Sequence, residues 1–193
     1  MSALSIPVND PTSIFEHFRG SYATELLTAA VAHLKLFEIL SAGPISADAL
    51  RDRLQLAPRS FVVLTTALRA MGLLGVDQSN QVHLTSLAHE HLIPNGEFYV
   101  GDYVGLAAES PGVLAMVDRL RSNQLAPAVE TDAGAAFIFR EGLDSAMESE
   151  QSARRLTLAL AGRAKNVAPA LAQKLSFGNE TLLDVGGGTG IYA

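Results

Sequence analysis

A chain of 193 residues exceeds one ordinary domain and falls short of two, and its 48% hydrophobic and 18% charged residues exclude a disordered tail. The 14 Lys and Arg against 20 Asp and Glu leave a net charge of −6, which disfavours nucleic acid and anionic lipid as partners. With no cysteine there is no disulfide, thiolate metal site or cysteine nucleophile, and with no basic-then-apolar leader and no long uncharged apolar run the expectation is a cytoplasmic protein that does not enter a membrane.

Asp10-Pro11 predicts a helix start, and Ile14, Phe18, Tyr22, Leu26, Ala30, Leu34 and Phe37 recur at helical spacing, so one helix is expected to run to about Leu40. After Ala42-Gly43-Pro44, Ser46 caps a short helix ending near Leu54, with Ile45 and Leu50 as a hydrophobic staple. Pro58 opens the next helix, whose Phe61, Leu64, Leu68 and Met71 share a face, and Gly72 stops it. Residues 73–76 and 81–84 around the turn-rich Asp77-Gln78-Ser79-Asn80 predict a β-hairpin, after which Thr85 caps a helix. Helix, turn, helix and hairpin in this order is a winged-helix arrangement over roughly 46–93. Further helices are expected over 98–108, 111–122 and 133–147, with a polar loop from 123 to about 132. A last helix from about 149 is expected to bury Leu156, Leu160, Ala164, Val167, Leu171 and Leu175, with Pro169 kinking or restarting it.

The final segment changes character. Residues 181–185 (Thr-Leu-Leu-Asp-Val) read as a buried strand, followed at once by Gly186-Gly187-Gly188-Thr189-Gly190. Without Cβ atoms the chain can turn sharply there and let a flat nucleoside or amino-acid group lie against the backbone. The dinucleotide fingerprint fails, because the sixth position from Gly186 is Ile191, and a phosphate-binding P-loop fails for want of a lysine. What remains is Asp-x-Gly-x-Gly-x-Gly on Asp184, Gly186, Gly188 and Gly190.

This motif closely resembles the first motif of class I S-adenosylmethionine-dependent methyltransferases. The order of long helix, winged-helix segment, helical linker and glycine motif resembles the small-molecule O-methyltransferases of the plant and acetylserotonin type. Residues 143–147 (Leu-Asp-Ser-Ala-Met) loosely match the Phe-Asn-x-Ala-Met stretch of that family, departing from it at Leu143 and Asp144. The resemblance implies a mainly α chain: a winged-helix-like dimerisation domain at 1–95, a helical linker with substrate-side helices at 96–178, and at 179–193 the first strand and glycine loop of an incomplete Rossmann-like α/β domain. It also implies S-adenosylmethionine as cofactor, with Asp184 near its methionine ammonium, Gly186, Gly188 and Gly190 beside its methionine and ribose, and Met147 in contact with it. An acidic strand tip tolerates the sulfonium cation where it would repel a pyrophosphate.

By the same resemblance the partners are a second copy of the chain and a small hydroxyl-bearing acceptor, aromatic or polyketide-like. The base and most of the acceptor pocket would lie beyond Ala193, so the expectation is an N-terminal part that assembles but is inactive alone. Two alternatives stay open, a winged-helix DNA-binding regulator and a non-catalytic dimerisation subunit. Charge disfavours the first: from Ser46 to Leu92, Arg51, Arg53, Arg59 and Arg69 are balanced by Asp48, Asp52, Asp77 and Glu90, and the wing loop has no cation. His83, His89 and His91 are expected to be solvated histidines rather than metal ligands.

Overall fold

The structure, a computed structural model, describes residues 5–20, 23–124, 150–175, 178, 181, 183–185 and 187–192. The described part is mainly helical with one small three-stranded sheet.

Helix α1 (Thr12–Arg19) starts where Asp10 Oδ1 accepts the Thr12 N–H at 2.9 Å and the Thr12 hydroxyl at 2.6 Å. Gly20, in an extended conformation (φ −77°, ψ 136°), ends it. The chain resumes as α2 (Thr24–Thr28), loosens into a π-helical turn (Ala29–His33), passes through Lys35 at φ 52° and continues as α3 (Leu36–Leu40). The single helix expected to Leu40 is thus three pieces, although Ile14, Phe18, Leu26, Ala30, Leu34 and Phe37 are all buried as the stripe requires. A straight helix over that stretch would extend about 40 Å, longer than a small core can cover. Breaking it at Gly20 and Lys35 keeps the whole stripe on the core.

Local signals act as expected in the next segment. Ser46 Oγ accepts the Ala49 N–H at 3.3 Å to cap α4 (Ala47–Leu54), and Pro58 sits at the first position of α5 (Pro58–Ala70). Gly72 at φ 70° closes α5, with the Gly72 N–H on Arg69 O and the Leu73 N–H on Leu68 O, both at 2.9 Å. Strands β2 (Leu74–Val76) and β3 (Gln81–Leu84) form the hairpin; Asp77 Oδ1 accepts the Ser79 and Gln81 N–H groups across its turn, and Asn80 takes φ 58°. A strand not anticipated, β1 (Ile45–Ser46), pairs antiparallel with β3 in the register Ile45↔Val82 and Ser46↔Gln81, giving the order β1-β3-β2. Thr85 Oγ1 accepts the Ala88 N–H at 3.3 Å and caps α6 (Ser86–His91).

The helix expected over 98–108 is shorter: α7 (Gly101–Val104) tightens into a 3-10 turn (Gly105–Ala107). Pro111 then opens α8 (Pro111–Ser122), capped by Ser110. The loop from 125 and the helix expected over 133–147 lie outside the described residues.

The last helix, α9 (Glu150–Ala172), corrects the predicted face. Its buried side is small: Ala159, Ala161, Ala164, Asn166, Ala168 and Pro169. Leu160, Leu171 and Leu175 are 40–46% exposed. The reason is close approach. At Gly162 an added Cβ would stand 2.6 Å from the Tyr99 carbonyl oxygen, so only small residues fit between α9 and the chain entering α7. Pro169 is accommodated within a continuous helix.

The segment expected as a buried strand also differs. Among its described residues none is in a strand, and Leu183 and Val185 are 81% and 84% exposed. A strand requires a hydrogen-bonded neighbour, and among the described residues none lies beside it.

Candidate functional site

The glycine turn brings together part of the expected cofactor set. Gly188 and Gly190 adopt φ 56° and 73°, a region L side chains rarely enter, and the Gly190 N–H returns to Gly187 O at 2.9 Å. The exposed Asp184 carboxylate folds back on Gly187 so closely that a Cβ there would fall 2.6 Å from Asp184 Cγ. A carboxylate beside a side-chain-free turn suits an ammonium group with a flat chain behind it. Gly186 and Met147 lie outside the described residues.

A separate cleft carries no signal in the sequence. A cleft of about 400 Å³ opens between the π-helical turn, the α7 region and the first half of α9. Val31, Ala32 and Leu158 supply apolar wall; Gly105 leaves room beside the backbone, whereas at Gly101 the Tyr99 ring occupies the place of a Cβ; and His33, Lys35, Tyr99, Asp102, Glu109 and Arg155 place polar groups around it. At Gly105 an added Cβ would meet nothing within 4 Å, which marks the void. The volume falls in the range of small-molecule sites.

The polar groups of the cleft are held by distinct partners. His33 Nε2 lies 2.9 Å from Ala108 O. Lys35 Nζ pairs with Glu38 at 3.2 Å, and Arg155 donates to Gly105 O at 3.3 Å. Burial, reinforced by the negative charges of Asp102 and Glu38, pushes the Tyr99 phenol up to about 12, so it stays protonated at neutral pH. With Lys35 and Arg155 set against Asp102 and Glu109, the wall is balanced in charge and favours no strongly ionic ligand. The wall also contains two uncommon backbone features, the π turn that carries His33 and the left-handed Lys35, which recur at functional sites more than elsewhere. No residue spacing signals this cleft, because its parts come from positions 31–35, 99–109 and 155–158.

The histidines divide. His89 is exposed, as expected, but His91 is fully buried: its Nδ1 faces Phe98 O at 3.2 Å and its Nε2 faces Asn9 O at 2.9 Å. It serves as a structural pin. Beside it, Glu90 accepts N–H groups from Val8 and Asn9, each at 2.8 Å, and binds the Asn9 side chain, so α6 holds the N-terminal strap 6–10. Burial raises the Glu90 carboxyl, but the donors from Val8 and Asn9 outweigh it and hold the group below its ordinary range. Among the described residues no group of His, Asp and Glu is arranged to hold a metal ion, and no helix is long and apolar enough to cross a membrane.

Comparison with known proteins adds independent information. Residues 15–93 match the O-methyltransferase dimerisation domain. The chain is 33% identical over 115 residues to a 3-hydroxy-5-methyl-1-naphthoate 3-O-methyltransferase from Streptomyces sahachiroi, covering 58% of this chain and 33% of that protein. It is 43% identical to an O-methyltransferase family 2 protein from Planctomyces limnophilus solved with apigenin, over 98% of this chain and 52% of that one, with a TM-score of 0.53. Human N-acetylserotonin methyltransferase, solved with S-adenosylmethionine, shares the fold at 14% identity and a TM-score of 0.55, over 84% of this chain and 48% of its own. The chain therefore spans from a third to about half the length of these relatives.

Proposed function

The chain is related to the S-adenosylmethionine-dependent O-methyltransferases of the plant and acetylserotonin type, and on that footing we propose that it is the dimer-forming, acceptor-side part of such an enzyme. The observation that carries this reading is the match of residues 15–93 to the dimerisation domain, joined to the turn at Asp184 to Gly190. In this reading residues 1–95 are the winged-helix-like dimerisation domain, 96–178 the linker with substrate-side helices, and 179–193 the start of a Rossmann-like cofactor domain. The strand order β1-β3-β2 behind α4 and α5 supports the winged-helix description. Val62 and Val63, 59% and 50% exposed on α5, suit a protein contact better than a DNA groove.

S-adenosylmethionine supplies an electrophilic methyl group. Of the residues here, Asp184 would hold its ammonium and the backbone at Gly188 and Gly190 would leave room for its methionine chain; Gly186 and Met147 complete the proposed set. The 400 Å³ cleft would take the acceptor, a small aromatic or polyketide-like molecule with a hydroxyl group. Its walls orient that molecule and exclude water, which is how a displacement reaction gains most from a protein. The Streptomyces relative methylates a hydroxynaphthoate and the Planctomyces protein binds apigenin, and both molecules are of that kind.

Because none of the described residues of 181–185 is in a strand, the chain by itself is proposed to assemble without turning over. Sedimentation equilibrium tests the reading: the expected mass is twice 20.4 kDa at micromolar concentration. A monomer at that concentration would overturn the dimerisation role, and calorimetric binding of S-adenosylmethionine by the chain alone would contradict the proposal that the chain does not turn over by itself.

A further inference from the structure

We infer that the groove between α5 and α8 binds a small carboxylic acid with an apolar tail. The site is separate from the glycine turn and from the cleft, and the inference stands whether or not the chain belongs to a methyl-transferring enzyme.

Two helix faces build the groove. Arg59 and Val63 stand four residues apart on α5, and Met116 and Leu120 four apart on α8, so each pair shares one side of its helix. Asn123, which ends α8 at φ 56°, accepts the Ser60 hydroxyl at 3.3 Å and ties the end of α8 to the start of α5. Between the two faces lies a groove of about 190 Å³, lined by these residues together with Arg119. That is below the range of sites for drug-sized ligands and suits a short alkyl chain.

The lining sets the chemistry. Leu120 is buried and forms apolar floor, while Val63 is 50% exposed and Met116 half-buried, so both keep apolar surface in water that a ligand tail would cover favourably. Arg59 and Arg119 reach the groove from different helices and cannot lose their charge. Neither makes an ion pair among the described residues, and no Asp or Glu described here lines the groove. On a chain of net charge −6, this pair of cations beside apolar surface is a local reversal of sign. An amine is repelled by such a site, and inorganic phosphate makes no use of its apolar floor. A carboxylate with a tail uses both parts, its head at the guanidinium groups and its chain on Val63 and Met116.

The test follows the methyl resonances of Met116 and of Met71, at the other end of α5, in the full chain labelled with 13C-methyl methionine. The probes are octanoate, hexanoate, 1-octanol and octylammonium. Octanoate is expected to shift Met116 and leave Met71 in place, and to bind about tenfold more tightly than 1-octanol, as a charge-assisted hydrogen bond in contact with water allows. Shortening the tail to hexanoate should weaken binding about tenfold, octylammonium should bind more weakly than 1-octanol, and added salt should narrow the advantage of octanoate. Replacing both arginines, Arg59→Gln with Arg119→Gln, should bring octanoate down to the affinity of 1-octanol. Val63→Glu, at an exposed position that tolerates the change, should turn the preference towards octylammonium. No binding of octanoate, binding that leaves Met116 unshifted, equal affinity for octanoate and 1-octanol, or a preference that survives loss of both arginines each overturns the site.

Discussion

Replacing Gly162 by alanine tests the packing of α9 against the rest of the chain. In a solvent-facing helix interior this change stabilises by about 1 kcal/mol, because alanine has less conformational freedom to lose. Here the new Cβ would stand 2.6 Å from Tyr99 O, 3.7 Å from Tyr99 C and 4.0 Å from Val100 Cα. These are backbone atoms, so no side-chain rotation relieves the contact and α9 must move outward by roughly half an ångström or more. Overpacking of this kind costs about 1–3 kcal/mol. The same movement stretches the Asn166 Nδ2 bond to Phe98 O, now 3.2 Å, adding about 1 kcal/mol. Set against the helix gain, the net expectation is a loss of about 1–3 kcal/mol, read from the midpoint of urea unfolding followed by circular dichroism. Gly105→Ala is the internal control. Its φ of −66° is ordinary and its Cβ meets nothing, so the same chemical change should be neutral or stabilise by about 0.5 kcal/mol. If Gly162→Ala stabilises as much as Gly105→Ala, the close approach of α9 to Tyr99 is wrong.

Lys35→Gly should raise stability by about 1 kcal/mol, since φ 52° strains any residue with a Cβ and the exposed Lys35–Glu38 pair contributes little; a thermal midpoint that does not rise refutes the strain. His91→Leu leaves Asn9 O without its partner and weakens the bonding of Phe98 O, and should cost about 2 kcal/mol or more in chemical unfolding. The Glu90 carboxyl is lowered in the folded state, so its hold on the strap is complete above the ordinary glutamate value of 4.5 and is lost as pH falls through the lower folded value. Hydrogen exchange at the Val8 and Asn9 amides, normalised for intrinsic rate, should report that loss on acidification, and Glu90→Gln should weaken their protection already at neutral pH. Protection unchanged by either treatment would contradict the clamp.

Much of residues 45–91, and the start of α8, was legible because the signals are local. Ser46 and Thr85 satisfy N–H groups within three residues of themselves, Pro58 and Pro111 need only an N-terminal helical position, and Gly72 needs only a left-handed φ. Such signals operate whatever surrounds them, so the chain alone specifies where α4, α5, α6 and α8 begin and where the hairpin turns. The glycine motif is equally local, and it pointed to the related enzymes before any contact was known.

Other features depend on distances between segments far apart in the chain. Apolar periodicity makes the leucines of α9 the natural core side, yet the alanines are buried, because Gly162 can approach Tyr99 only when everything around it is small. His91 looks like a surface histidine until two carbonyls from residues 9 and 98 close on its ring. The cleft containing His33 is assembled from three stretches of chain with no common period. Capping, turning and helix starting involve neighbours along the backbone and are written in residue order; which face is buried, which imidazole is enclosed and where a void remains are set by how closely whole elements can pack, and that is decided only once they meet.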